Sequence, residues 1–137
     1  MNELQIRKMQ ISAAKEEIRC CEDLNRHYGL TLTEADITEL VELRGEALRS
    51  TGRVEFGGGI LPKLIRAFCK SPYVDPYNYA ATLGDLQDAF YYFKNESHDL
   101  FSDDDLIEFM EKVFNGQAHG STDVLTTISL EQLCRWA

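Results

Sequence analysis

The chain has 137 residues, of which 44% are apolar and 27% charged, and its formal net charge is −9. That length fits one domain, and that composition excludes a disordered chain or a fold that needs a metal or disulfide staple. The charge argues against nucleic-acid binding, which relies on Lys and Arg to neutralise phosphates, and against docking on an anionic membrane.

The opening "MNELQIRKMQ" lacks the apolar core of a signal peptide, and no apolar run approaches the roughly 18–20 residues of a membrane span. Cys20, Cys21, Cys69 and Cys134 contain no CxxC pair. They read as reduced thiols of a cytoplasmic protein.

The periodicity predicts a first helix from near Ile11 to just before Gly29, with Ile11, Ala14, Ile18, Cys21, Leu24 and Tyr28 as its apolar stripe. Gly29 suits the left-handed closing position. A second helix starts after Thr33, where "TEAD" offers a capping box, and stops before Gly52. "RVEF" (Arg53 to Phe56) then alternates like a short strand, with "LQIR" and "TDVLTTI" as its only candidate partners.

A third helix follows Gly57, Gly58 and Gly59, with Pro62 in its first turn and Leu61, Leu64, Ile65 and Phe68 facing the core. Asp75 and Pro76 open a fourth helix that runs to about Asn95 on the stripe Tyr79, Leu83, Leu86, Phe90 and Phe93. Ser102 caps a fifth with an acidic first turn, ended by Gly116. Ser129 with Gln132 marks the start of a short last helix.

The glycine run is the leading site candidate. Backbone N–H groups at Gly57, Gly58 and Gly59 could hold an anion at a helix start, with Lys63 and Arg66 on the adjoining face. Residues 44–70 carry a local charge of +4. Against this, the run is neither GxxxxGK[ST] nor GxGxxG, and Glu55 would repel an anion, so a structural turn is the expected reading. In that case a glycine should show positive φ, the loop N–H groups should bond to nearby carbonyls, and Arg53 should pair with Glu55 or another acid.

Other candidates are weaker. The His and Cys residues show no zinc-like spacing, so no metal or cofactor is assigned. His98-Asp99 resembles the paired motif of the all-helical HD phosphohydrolases, which would make His27 the earlier metal ligand and Asp123 the later. The pair falls in an inter-helix loop, whereas those enzymes carry it in a helical core, so a polar loop is expected. "HGSTD" places His, Ser and Asp in sequence, which is no evidence of a triad, because triads assemble in space. Residues 96–111 hold seven acids and no Lys or Arg. They read as a solvated helix start or as a docking face for a basic partner.

Tyr77, Tyr79, Tyr91 and Tyr92 crowd the fourth helix and point to a homodimer or a protein partner there. The segments "ALRSTGRVEFGGGILPKLIRAFCKSPYVDP" and "ISLEQLCRWA" resemble an uncharacterised family of small proteins from Firmicutes bacteria. That resemblance implies a bacterial cytoplasmic protein and no activity.

The expectation is one mainly α domain of five or six helices, with room for one short two-stranded pairing. Its function is a non-enzymatic interaction or structural role through a helical surface. The rival is a small enzyme or ligand-binding protein that uses the glycine loop.

Overall fold

The computed structural model describes residues 3–55 and 59–136. Phe56, Gly57 and Gly58 therefore lie outside the described residues. The elements are α1 (Glu3–Arg19), α2 (Glu22–His27), α3 (Glu34–Thr51), α4 (Leu61–Phe68), α5 (Tyr79–Glu96), α6 (Asp103–Asn115) and α7 (Thr122–Trp136). All are helical, so the mainly α expectation holds, and no strand occurs among the described residues. "LQIR" lies in α1 and "TDVLTTI" in α7.

Over the described residues of "RVEF", Arg53 to Glu55, the alternation is present but has another cause. Arg53 and Glu55 turn partly inward, while Val54 is 77% exposed. The stretch is anchored by side chains. Arg53 donates to Asn95 Oδ1 at 2.7 Å and pairs with Asp99, and Glu55 accepts from Tyr91 and Arg44.

The single first helix is corrected to two. The Cys21 N–H bonds back only three residues, to the Ile18 carbonyl, and Cys21 then becomes the N-cap of α2. No Gly or Pro marks this break. Gly29 has φ 73 and closes α2 as expected.

Two caps match the sequence. Thr33 and Asp36 form a reciprocal capping box on α3, and Ser102 Oγ accepts from the Asp105 N–H on α6. Two other starts shift. The Asp75 carboxylate accepts from the Tyr77 N–H at 2.9 Å and closes a turn, so α5 begins later, at Tyr79. Helix α7 begins at Thr122, because Ser121 Oγ accepts from the Val124 N–H. Ser129 is thereby a fully buried residue inside α7.

Helix α5 is the hub, packing on α3, α4, α6 and α7. Its stripe residues Tyr79, Leu83, Leu86, Phe90 and Phe93 are all buried, as are Gln87 beside the stripe and Gly84 further round the helix. Leu40 and Leu43 of α3 face Gly84, and Glu46 and Thr51 face the Asp88–Asn95 end of α5. Helices α3 and α5 therefore run side by side in the same direction. Helix α4 lies on α6, with Leu61, Leu64, Ile65 and Phe68 all fully buried.

Candidate functional site

Gly59 is the described residue of the glycine run, and its backbone has one feature expected of a turn. Gly59 has φ 57, a conformation that disfavours any side chain. A Cβ there would come within 2.5 Å of the Arg44 guanidinium, so the open side of Gly59 is filled by Arg44. Arg44 is 5% exposed and pairs with Glu55 at 3.4 Å, and the Tyr91 hydroxyl donates to the same carboxylate oxygen at 2.8 Å. Burial, then the Glu55 carboxylate, pushes the Tyr91 phenol up, so it remains a donor. Gly57 and Gly58 fall outside the described residues. Lys63 pairs with Asp104 at 2.8 Å, and Arg66 is exposed on α4.

The basic run and the acidic run of the sequence answer one another in space. Lys63 meets Asp104, Lys70 meets Glu111, and Arg53 meets Asp99. Lys94 pairs with Asp103 at 2.8 Å, and Lys112 with Glu108 at 3.4 Å. Exposed pairs of this kind add little stability each. Their effect here is on charge: most of the 96–111 carboxylates already have a cation beside them.

Among the described residues, no three His, Cys, Asp or Glu side chains converge to hold a metal. His27, His98, Asp99 and Asp123 are not brought together as the HD resemblance would need. His98 and Asp99 adopt φ 53 and 60 in the turn after α5, and Asp99 is tied to Arg53. His119 lies near the Tyr73 hydroxyl at 3.2 Å. Among the described residues, no helix is long and apolar enough to cross a membrane.

Two of the four named tyrosines belong to the core. Tyr79 is 1% exposed and donates to Asn25 Oδ1 at 2.6 Å, and Tyr91 is 2% exposed. Tyr77 is 98% exposed and Tyr92 42%. Both border a groove along α3 and α5 that the sequence did not single out.

The groove has a volume of about 490 Å³ between the first halves of α3 and α5. Leu40, Leu43, Ala80, Ala81 and Gly84 line it, with Tyr77 at one end. It continues into a second stretch of about 460 Å³ that shares Leu43 and Asp88 and includes Ala47 and Tyr92. Gly84 is buried against the two leucines, which lie close enough that an added methyl there would rest in ordinary contact with both. Glu39 and Glu46 stand on the α3 side, Asp85 and Asp88 on the α5 side. No Lys or Arg lines either stretch. Among the described residues, these four acids form no ion pair; Asp85 accepts only from the Thr122 hydroxyl, at 3.3 Å.

Asp88 registers this arrangement. Partial desolvation, then Asp85 and Glu46, raise its carboxyl above the ordinary value of 3.8. A carboxyl with a raised folded pKa costs no stability below its unfolded pKa, where both states are protonated. The cost appears as pH rises through that value and is complete above the folded pKa. Asp88→Asn is therefore expected to raise the melting temperature at pH 7, and the gain should vanish below about pH 4. Thermal unfolding followed by circular dichroism across that range checks both halves; an unchanged or lowered melting temperature at pH 7 would contradict the arrangement.

Residues 17–137 match the profile described as a family of unknown function, DUF6323. No curated protein and no solved structure matches the chain.

Proposed function

The chain belongs to the DUF6323 family of unknown function, and we propose that it is a non-enzymatic interaction protein that docks a basic segment of a protein partner in the α3–α5 groove. One observation carries this reading: charges elsewhere on the fold are largely paired within it, while Glu39, Glu46, Asp85 and Asp88 face one another across a groove with no cation. Like charges held together oppose folding, and a cationic partner relieves them. Exposed Tyr77 and Tyr92 add contact area at the rim of the same face.

A second copy is a poor occupant, because a twofold contact through this face would set the four acids against their own counterparts. The surface tyrosines then serve a different chain, and light scattering should show monomer at high micromolar concentration. The four free cysteines and the resemblance to small Firmicutes proteins support a place in the bacterial cytoplasm. The rival anion site draws less support, because Lys63 and the open side of Gly59 are already engaged.

The test is a titration of ¹⁵N-labelled protein with a lysine-rich peptide and with a glutamate-rich one. Amide shifts are expected along α3 and α5, near Leu43, Ala81 and Gly84, with the lysine-rich peptide only, and they should weaken with salt. The combined variant Glu39→Gln, Glu46→Gln, Asp85→Asn and Asp88→Asn should lose at least tenfold in affinity. A control variant neutralising Glu108 and Glu131 should not. Shifts spread evenly over the acidic surface, or equal binding by both variants, would overturn the proposal.

A further inference from the structure

We infer that the element seated in this groove is an amphipathic helix, with an apolar stripe flanked by Lys or Arg, rather than an extended peptide; the inference rests on the groove reading just given. The groove floor explains why. Past the first turn of α5, it is made of side chains on α3 and α5 whose backbone groups already bond within each helix; only the N–H groups at the start of α5, by Tyr79 to Ala81, lack such partners, and they lie at one end. Among the described residues there is no strand, so no sheet edge offers main-chain hydrogen bonds to an incoming strand. An extended peptide laid on Leu40, Leu43, Ala81 and Gly84 would turn half of its own N–H and C=O groups onto apolar carbon. Such groups cost free energy when removed from water without partners. A helix satisfies its backbone internally and presents only side chains.

The dimensions agree. From Asp36 to Thr51 the α3 wall is about 22 Å long, which matches a helix of about fifteen residues. Glu39 and Glu46 stand seven residues apart on α3, and Asp85 and Asp88 stand three apart on α5. These are two-turn and one-turn spacings, so a docked helix with basic residues seven apart on one flank of its apolar stripe and three or four apart on the other can reach both walls while the stripe meets the leucines.

The experiment compares two peptides of about fifteen residues on the full chain by calorimetry. One, of Ala, Leu and Lys, is patterned as an amphipathic helix. The other has the same lysines and leucines, but two central alanines are replaced by proline so that it cannot form the helix. The helical peptide is expected to bind at least tenfold more tightly and to gain helical circular dichroism on binding. The combined four-acid variant should lose that binding, and thermal melting confirms that it remains folded. If the proline peptide binds as tightly, and the four-acid variant loses both peptides, the helix inference is overturned while the groove reading stands. If neither peptide binds, or the four-acid variant binds both undiminished, the groove reading falls and this inference with it.

Discussion

Glu55→Ala is expected to lower the folding free energy by about 3 kcal/mol, because it removes the carboxylate that balances a buried guanidinium. Arg44 is 5% exposed, and Glu55 reaches it from the segment before the glycine run. The same oxygen takes the Tyr91 hydroxyl at 2.8 Å, so the substitution also strips an acceptor from a buried phenol. Urea unfolding measures the loss. Arg44→Met combined with Glu55→Leu should recover most of it, since replacing both members of a buried pair with apolar residues is often neutral or stabilising. A loss below about 1 kcal/mol would place the pair in the range of solvated surface contacts and refute the argument.

Phe68→Ala is expected to cost about 3–5 kcal/mol through lost burial and the cavity left behind. The ring is fully buried and meets Phe114 edge to face, with centroids 5.3 Å apart. Helix α4 has only eight residues, too few to persist on intrinsic propensity, so its place on α6 depends on this contact and its neighbours. Phe68→Leu should cost far less, because a second branched apolar group fills much of the space. Hydrogen exchange should show α4 losing protection before α3 or α5. A cost for Phe68→Ala no greater than that for Phe68→Leu would show that the ring is not the anchor described.

What the sequence made legible was whatever is local. The Thr33–Asp36 and Ser102–Asp105 caps could be read because a cap is a contact between residues three apart. The break at Cys20–Cys21 could not be read, since no Gly or Pro marks it and Cys21 keeps its buried place on the predicted stripe. The start of α7 was misplaced at Ser129: Ser121 accepts the Val124 N–H eight residues earlier, and Ser129 is buried inside the helix.

The groove was hidden for a related reason. Charge runs are conspicuous in a sequence, yet the basic 44–70 stretch and the acidic 96–111 stretch largely cancel in the fold. Glu39, Glu46, Asp85 and Asp88 belong to two separate helices and become one feature only once α3 and α5 are set in register. Tyr91 was legible as a residue off the main stripe, but Glu55 arriving from another segment makes its position a buried one.

That α3 and α5 point the same way has a consequence for how the molecule comes into being. Two antiparallel helices can meet as a local hairpin, but here the chain must first travel back the length of a helix, and α4 with its flanking turns is that return path. Bringing Leu40 against Gly84 closes a long loop, and its entropic cost must be met before the contact gives anything back. Helices α5, α6 and α7 follow one another through short connections and are expected to associate first. The acidic cleft between α3 and α5 is then expected to be the last surface to take shape, complete only when the chain has finished folding.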